Sequence, residues 1–259
     1  MVPRPDGSGN MAVACDCGMR ERAQRTVERA RIPKRYEDCK FSEYETTSLA
    51  DGKTYSPQQA AELNKAKTTV QGFVKNYPAA DQCGLLLIGP PGVGKTYLAV
   101  AALKELVTRG HSGYFCEYGA LLRDIQQTYK EGAEMTESLI LEPVVSAEIL
   151  VIDDLGCIRP SDWVLDTIGY ILNARYSDAS RDLSRPKCTI LTTNFPEVGS
   201  ETRVDLPGRK TQILRRESLA DRIGERIRSR LYEVCRTIEF SPGLPDFRKE
   251  IRQAGRARA

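Results

Sequence analysis

The sequence predicts an α/β fold in three layers, with helices covering both faces of a parallel sheet. Two observations predict it: apolar runs alternate with helical segments, and the runs are apolar nearly throughout. Strands of that kind are typical of parallel sheets that are buried on both faces. The predicted strands lie at 85–88, 113–117, 149–152, 188–194 and 237–240.

Helices are predicted from apolar periodicity and from residues that start or stop a helix. Ser56-Pro57 begins one helix, because Ser caps a helix N-terminus and Pro suits its first turn. The polar segment 131–139 and the segment 197–212, which lacks periodicity, are predicted to be loops. The predicted helices lie at 20–30, 57–76, 95–109, 119–129, 161–174 and 216–235.

Composition divides the 259 residues into three regions. Residues 1–55 form an N-terminal extension that we expect to be partly disordered, since it begins with small, polar and turn-forming residues. Residues 56–243 form the main domain, and a hydrophobic content of 41% is enough to build its core. Residues 244–259 form a polar, basic tail.

Residues 89–96, Gly-Pro-Pro-Gly-Val-Gly-Lys-Thr, match the spacing of a phosphate-binding loop (P-loop). Lys95 is expected to reach the β- and γ-phosphates of a nucleoside triphosphate, and the Thr96 hydroxyl to hold Mg²⁺. A chance match is disfavoured, because an apolar strand precedes the motif and a helix with its positive dipole end follows. The residues expected to bind the nucleotide are Gly89, Pro90, Pro91, Gly92, Val93, Gly94, Lys95 and Thr96.

Asp153 and Asp154 follow the run 149–152, at the carboxyl end of a predicted strand. Functional groups of parallel sheets gather at these ends. We expect Asp153 to hold Mg²⁺ with Thr96, and Asp154 to orient the attacking water. Acidic turns after strands are common, but the position downstream of a P-loop favours this interpretation. Because aspartate is short, we expect hydrolysis to be slow.

Asn194 ends the next predicted strand. We expect its amide to hydrogen-bond the γ-phosphate or the water and so to sense hydrolysis. The alternative is an asparagine that only forms the turn before Phe195-Pro196. Its position one strand after the acidic pair favours the functional interpretation.

Arg222, Arg226 and Arg230 stand four residues apart in the predicted helix 216–235, so they are predicted to share one face. An arginine supplied across a subunit interface stabilises the charge of phosphoryl transfer. The alternative is a salt-bridged surface or one that faces nucleic acid.

The net charge of +3 is unevenly distributed. Residues 203–259 contain 15 Lys/Arg against 8 Asp/Glu, and residues 20–40 contain 8 against 4. Two basic ends suggest a polyanionic partner such as nucleic acid, and the alternative is solvated helix faces. No apolar run reaches the roughly 18 residues of a membrane span, and the first ten residues lack a signal-peptide core, so we expect a cytoplasmic protein without a membrane partner.

The eight cysteines are scattered, which is typical of reduced thiols. Cys15, Cys17 and Cys39 suggest zinc, but a zinc site usually has four ligands in recognisable pairs. The one histidine, His111, lies inside the main domain. The sequence therefore favours reduced thiols over a zinc site.

Together these motifs resemble AAA+ ATPases of the DnaC/DnaI helicase-loader group, to which the transposition helper IstB is closely related. The resemblance covers about residues 30–250 and includes the P-loop, 149–156, 189–194 and 222–231. It implies ATP bound with Mg²⁺ and hydrolysed between subunits, in a domain without the helical lid of other AAA+ proteins. By motif, Lys95 and Thr96 correspond to Walker A, Asp153 and Asp154 to Walker B, Asn194 to sensor 1, and Arg230, with Arg226 beside it, to the arginine finger.

The resemblance further implies a replication protein that binds single-stranded DNA, delivers the replicative helicase to it and assembles through ATP-bridged interfaces. Residues 1–55 would then include a helicase-binding region. Two alternatives stay open: an IstB-like transposition regulator on duplex DNA, and a weakly hydrolysing ATP switch or adaptor. The sequence departs from relatives that carry a Cys-x-x-Cys pair before a Cys-x-Cys, and its basic segment 197–216 has no clear match.

Overall fold

A five-stranded parallel sheet organises the chain. The computed structural model describes residues 27–49, 54–78, 84–132, 135–181, 187–204 and 212–249, with the short stretches 2–3 and 10–11. The strands are β1 (Gly84–Ile88), β2 (Gly113–Glu117), β3 (Ile149–Asp153), β4 (Cys188–Thr193), β5 (Ser200–Val204), β6 (Gln212–Arg216) and β7 (Cys235–Glu239). The sheet has the order β2-β3-β4-β1-β7, with neighbouring strands parallel. β5 and β6 form a separate antiparallel hairpin, and Val2–Pro3 pairs with Asn10–Met11.

Helices cover both faces of this sheet. They are α1 (Pro57–Asn76), α2 (Lys95–Thr108), α3 (Tyr118–Gln127), α4 (Glu137–Ser146), α5 (Asp162–Arg181), α6 (Leu219–Ile223) and α7 (Glu225–Val234), with 3₁₀ turns at Lys34–Tyr36 and Phe41–Glu43. Leu85 and Leu87 of β1 pack in one apolar cluster with α1 and α2, whereas Leu86 and Ile88 pack in a second cluster with α3, α5 and α7. This alternation confirms the predicted three-layer arrangement.

The sheet register brings the functional strand ends together. Ile88, the last residue of β1, pairs with Thr193, the last residue of β4, and β3 lies directly beside β4. The glycine-rich loop after β1, Asp153 at the end of β3 and Asn194 after β4 therefore lie along one edge of the sheet, as predicted.

The start of α1 also agrees with the prediction. The Ser56 hydroxyl accepts a hydrogen bond from the Gln59 backbone N–H at 3.3 Å, and the Gln59 side chain accepts one from the Ser56 N–H at 3.0 Å. This reciprocal pair is a capping box, and it stabilises the helix N-terminus beside the proline at the first helical position.

Two predicted loops contain regular structure instead. α4 begins at Glu137, within the predicted loop 131–139, because Leu141 and Val144 bury an apolar face against the domain. The predicted loop 197–212 contains β5, and β6 begins at its last residue and extends to Arg216; the two strands pair from Ser200–Arg216 to Val204–Gln212. The prediction missed this hairpin because it relied on apolar periodicity along the chain, whereas the hairpin is formed by hydrogen bonds between two strands.

The predicted helix 216–235 is broken in two. Gly224 separates α6 from α7 with φ of 86° and ψ of 144°, outside the helical region. The prediction that Arg222, Arg226 and Arg230 share one face is therefore wrong, because the spacing of four holds only within a continuous helix. Arg222 is buried, whereas Arg226 and Arg230 are exposed.

Residues 27–49 pack against the main domain. Ala30, Phe41 and Tyr44 are buried in the cluster that covers the α1–α2 face, and the Ala30 carbonyl accepts a hydrogen bond from the Phe115 N–H at 2.8 Å. Of the first residues, for which disorder is predicted, the structure describes only 2–3 and 10–11, which pair as short strands. The part of the predicted helix that precedes residue 27 lies outside the described residues. The three-region division of the chain stays a prediction.

Candidate nucleotide-binding site

The turn between β1 and α2 has the geometry of a phosphate-binding loop. Gly94 is the N-cap of α2 and has φ of 91°, a left-handed conformation that glycine adopts without steric penalty. A Cβ atom at Gly94 would lie 2.5 Å from Cε2 of Tyr44, so this ring packs directly on the turn. The first N–H groups of α2 and its positive dipole end are therefore available to an anion at this loop.

Lys95 is buried under the loop and is held by three acceptors. Its Nζ donates to the carbonyl of Gly89 at 2.8 Å, to the carbonyl of Pro90 at 2.7 Å and to Oδ1 of Asn194 at 2.8 Å. The Lys95 side chain therefore packs against the P-loop, and it also contacts Asn194, the residue that follows β4.

The charge of Lys95 is poorly solvated. Burial lowers its pKa to about 8, the carboxylates of Asp154 and Asp153 oppose this shift, and the positive charge of Arg248 adds to it. An anionic ligand at the loop would stabilise the protonated form, which suits a phosphate-binding lysine.

The other predicted loop residues surround this lysine. The Val93 carbonyl accepts a hydrogen bond from the hydroxyl of Tyr44 at 2.9 Å, and Pro91 is exposed on the outer side of the loop. Gly92 has φ of 81°, and its carbonyl accepts a hydrogen bond from the Phe247 N–H at 3.2 Å. The loop is thus held from both sides by segments distant in sequence.

Thr96 and Asp153 lie side by side. The hydroxyl of Thr96 donates to Oδ1 of Asp153 at 2.7 Å, and the hydroxyl of Thr192 donates to the same atom at 2.6 Å. Burial raises the pKa of Asp153, while the two hydroxyl hydrogen bonds lower it. Mg²⁺ is usually bound by one or two carboxylates, hydroxyls and substrate phosphates, so this pair of oxygen donors fits the ion.

Asn194 joins Lys95 to Asp154. Its Oδ1 accepts from Nζ of Lys95, and its Nδ2 donates to Oδ1 of Asp154 at 2.9 Å. The structure therefore brings the P-loop, the acidic strand end and the polar strand end into one hydrogen-bonded group.

Asp154 has a left-handed backbone with φ of 57°, which is uncommon for a residue with a side chain. Its N–H donates to the hydroxyl of Thr192 at 3.0 Å, and the next residue, Leu155, donates its N–H to the Thr192 carbonyl at 2.8 Å. Strained positions of this kind persist when the surrounding structure fixes them, and they concentrate at functional sites.

Arg226 and Arg230 lie on the exposed side of α7. Arg230 donates a hydrogen bond to Oδ1 of Asn173 on α5, and its guanidinium lies 5.6 Å from the centre of the Tyr176 ring. Among the described residues, neither arginine hydrogen-bonds to the P-loop of its own chain. The structure does not bring these two predicted residues into the site that the same subunit forms.

The segment after β7 folds back over the P-loop, which sequence reasoning missed. Phe247 and Tyr44 line a cavity of about 90 Å³ beside Gly94 and Tyr97. Asp246 approaches Gly92 so closely that a Cβ atom there would lie 1.8 Å from its Oδ1. The sequence signal for this packing is Phe247, an aromatic residue in a tail that is predicted to be polar and basic.

Of the three cysteines that suggested a zinc site, the structure describes only Cys39. Cys15 and Cys17 lie outside the described residues, and Cys39 is a buried thiol whose pKa burial raises to about 11. Among the described residues, no group of three or more His, Cys, Asp and Glu side chains could hold a metal ion. Within the same residues, no helix is both long enough and apolar enough to cross a membrane.

A P-loop and two polar strand ends, gathered on one edge of a parallel sheet between helical layers, define a P-loop nucleotide-binding protein. The family follows from comparison with known proteins. Residues 20–196 match the model of the family described as IstB-like ATP binding protein. The chain belongs to this family.

The chain is similar to helicase loaders and to an insertion-sequence protein. The replicative helicase loader DnaC of Escherichia coli (strain K12) is 27% identical over 175 residues, which are 68% of this chain and 64% of that protein. The match thus spans less than two thirds of that relative. A crystal structure of the DnaC helicase loader is 31% identical, covers 81% of this chain and 100% of its own, and has a TM-score of 0.57. The insertion sequence IS5376 putative ATP-binding protein of Geobacillus stearothermophilus is 28% identical over 95 residues, 37% of each protein. The family resemblance predicted from the motifs is confirmed.

Proposed function

We propose that this protein binds and hydrolyses ATP and loads a replicative helicase onto single-stranded DNA. The observation that carries the proposal is the hydrogen-bonded group Lys95–Asn194–Asp154 beside the P-loop. It occurs in a chain of which 81% aligns with the structure of a DnaC helicase loader. In this proposal, Lys95 supplies the cation for phosphate, Asp154 supplies the carboxylate for water, and the Asn194 amide hydrogen-bonds to both side chains.

The reaction assigned to this site is hydrolysis of the terminal phosphoanhydride bond. The loop N–H groups and Lys95 bind the phosphates, and Thr96 and Asp153 hold Mg²⁺, which neutralises phosphate charge when bound. Water attacks the γ-phosphorus, the bond to the bridging oxygen breaks, and ADP and phosphate leave. Asp154 orients that water and accepts its hydrogen bond.

Asn194 serves as the sensor in this proposal. In the structure, its Oδ1 accepts a hydrogen bond from Nζ of Lys95. When the ammonium of Lys95 turns to the phosphates, that oxygen loses its donor and the amide becomes free to follow the γ-phosphate. Asn194 therefore has different partners in the two states, which is what a sensor requires.

The nucleobase is assigned to the aromatic cavity beside the loop. Tyr44, Tyr97 and Phe247 line it, and the rings of Tyr44 and Tyr97 lie 5.7 Å apart. Flat apolar rings suit the faces of adenine. This assignment makes the ATP site span the N-terminal segment, the P-loop and the segment after β7.

Arg230, with Arg226 beside it, is assigned to the site of an adjacent subunit. Both side chains are exposed on α7, and neither contacts the P-loop of its own chain within the described residues. An arginine that enters from a neighbour stabilises the charge that develops during phosphoryl transfer. ATP would then hold adjacent subunits together.

The DNA partner is assigned from charge. The segments 203–259 and 20–40 carry net charges of +7 and +4, whereas the whole chain carries +3. Contacts between Lys/Arg and phosphates release counterions, so binding to single-stranded DNA should weaken steeply with salt. A salt-insensitive affinity would contradict this part of the proposal.

Two other functions are supported by particular observations. The family description and the insertion-sequence relative favour an IstB-like transposition regulator that assembles on duplex DNA. The short side chain of Asp154 favours a weakly hydrolysing ATP switch, because its reach to the attacking water is smaller than that of glutamate.

Two measurements separate these functions. The first is phosphate release by the wild type and by Lys95→Ala, with and without single-stranded DNA. We expect DNA-stimulated turnover in the wild type alone. Equally slow release by both proteins would contradict the proposed ATP hydrolysis. The second is assembly with purified partners. Stable binding to a replicative helicase hexamer supports the loader, whereas ATP-dependent filaments on duplex DNA without helicase binding support the transposition regulator.

A further inference from the structure

Arg222 is a buried arginine that contacts the segments following two strand ends, the one that carries Asp153 and Asp154 and the one that carries Asn194. These are called the catalytic strand ends below. It belongs to α6, the short helix between the β5–β6 hairpin and the break at Gly224, and only 5% of its surface is exposed. A guanidinium is costly to bury unless its charge and its N–H groups have partners. Its contacts therefore indicate its role.

The guanidinium joins three segments of the chain. Its Nε donates to the Gly156 carbonyl at 2.8 Å, and its Nη2 approaches the Cys157 carbonyl at 3.4 Å. Its Nη1 donates to Oε2 of Glu217 at 2.8 Å, which supplies the opposite charge. Cζ of the guanidinium lies over the Phe195 ring, 4.6 Å from its centre.

The contact with Gly156 is tight. Gly156 has φ of 84°, and a Cβ atom there would lie 3.0 Å from Cβ of Arg222 and 3.3 Å from Cδ2 of Phe195. A larger residue at this position would push the turn away from both side chains. The backbone of Gly156 is thus in direct contact with the side chain of Arg222.

The turn that Arg222 contacts is the one that sets the direction of Asp154. It is closed by a hydrogen bond from the Cys157 N–H to the Asp154 carbonyl at 3.1 Å, and Asp154 itself has left-handed φ. Thr192 of β4 fixes the start of the turn through the Asp154 and Leu155 N–H groups. Arg222 fixes its end, so the strained residue is held from both sides.

The same arginine also packs against the residue that follows Asn194. Phe195 lies under the guanidinium, and α6 begins with a hydrogen bond from the Leu219 N–H to the Pro196 carbonyl at 2.8 Å. Arg222 therefore contacts the chain neighbours of Asp154 and of Asn194, whose side chains hydrogen-bond to each other at 2.9 Å.

We propose that Arg222 is a positioning residue for hydrolysis. It clamps the turn 154–157 against the segment 195–196 and so holds the Asp154 carboxylate at Asn194. This inference rests on the proposed ATPase function, and it assigns Arg222 a role inside its own subunit, in contrast to the exposed Arg230. Lysine cannot replace it, because one ammonium does not reproduce the fork that reaches Gly156 and Glu217 together.

The test compares Arg222→Gln and Arg222→Lys with Arg228→Gln as a matched control. Arg228 also forms an ion pair, with Glu197 at 3.0 Å, and stacks on the Tyr232 ring, but it does not contact the catalytic strand ends within the described residues. Four quantities are measured: affinity for an ATP analogue with Mg²⁺, DNA-stimulated turnover, melting temperature, and hydrogen exchange across the domain, in which peptides covering 153–160 are compared with all others.

We expect both Arg222 variants to keep their affinity while turnover falls on the order of 10²-fold, the size of effect that a misplacement of about 1 Å produces. Exchange in 153–160 should rise in these variants and stay at the wild-type level in Arg228→Gln. Wild-type turnover and exchange in Arg222→Gln would overturn the proposal. So would a parallel loss of affinity, turnover and melting temperature, which indicates a residue needed only for folding.

The exchange measurement keeps the two proposals distinguishable. If wild-type turnover does not exceed that of Lys95→Ala, the hydrolytic function fails, and exchange alone then decides whether Arg222 positions the turn. Faster exchange confined to 153–160 supports the clamp. Faster exchange throughout the domain, or none, contradicts it.

Discussion

The hydroxyl of Thr96 donates a hydrogen bond to Oδ1 of Asp153 at 2.7 Å, and this bond links α2 to the end of β3. It joins the P-loop to the acidic strand end. The two oxygens lie where the proposed metal site needs them. The fold therefore holds Thr96 and Asp153 together. Removal of the Thr96 hydroxyl should change ATP binding mainly through the binding of Mg²⁺.

Thr96→Ala should weaken ATP binding in the presence of Mg²⁺ and leave binding in EDTA unchanged, because only the metal-bound complex uses the hydroxyl. Titration with a fluorescent ATP analogue under both conditions measures this. Thr108→Ala, at the exposed end of the same helix, is the matched control and should behave as the wild type. Equal weakening with and without Mg²⁺ would argue against a metal-holding role.

ATP affinity should depend on pH through Lys95. Its pKa is lowered to about 8 in the free protein, and bound phosphates favour the protonated form. Affinity should therefore be constant below pH 8 and fall as the pH rises above it. Calorimetric titrations between pH 6.5 and 9.5 with a non-hydrolysed analogue check this.

Arg248 provides a check on the same prediction. Its charge contributes to the lowered pKa of Lys95, so Arg248→Gln should move the fall in affinity to higher pH. An unchanged affinity between pH 7 and pH 9 in the wild type, or a fall at lower pH in Arg248→Gln, is incompatible with this account of Lys95.

Asn194→Ala should reduce turnover on the order of 10²-fold while ATP still binds, because the amide acts on the γ-phosphate or the water and not on the rest of the nucleotide. Steady-state kinetics and analogue binding, measured together, separate the two effects. Asn76→Ala, at the exposed end of α1, is the control. A loss of ATP binding with turnover per bound nucleotide intact would assign Asn194 to binding instead.

Arg175 should matter for folding. It is 2% exposed in α5 and donates to the hydroxyl of Thr189 and to the carbonyls of Ala147 and Cys188 at 2.6 to 2.9 Å. Arg175→Met leaves buried acceptors without donors, so the free energy of unfolding should fall by about 3 kcal/mol or more. Denaturant titration measures this, with the exposed Arg159→Gln expected within about 0.5 kcal/mol of the wild type. An unchanged midpoint in Arg175→Met would contradict the role.

The P-loop, Asp153 and Asn194 could be predicted from the sequence because their signals are local. Each follows an apolar strand, and parallel strands bring their carboxyl ends to one edge of a sheet. The prediction that the strands are parallel was enough to place these residues at one edge, and the structure has them there. The roles of these residues in binding and catalysis stay predictions.

The role of Arg222 and the aromatic cavity could not be predicted in the same way. Counting residues along a helix assumes that the helix continues, and Gly224 interrupts it. Whether a glycine interrupts a helix depends on tertiary contacts, here those that bury Arg222 against Gly156. Likewise Tyr44 and Phe247 are about 200 residues apart in the sequence, and only the folded chain brings them to the P-loop.

The central claim is that ATP is hydrolysed between subunits, with Lys95 from one and Arg230 from the next. Mixing Lys95→Ala and Arg230→Ala proteins tests it most directly, with turnover measured in the presence of single-stranded DNA. Each variant alone should be inactive, and the mixture should recover turnover, because Arg230→Ala subunits supply an intact P-loop and Lys95→Ala subunits supply the arginine. A mixture as inactive as its components, or wild-type turnover by Arg230→Ala alone, would contradict the claim.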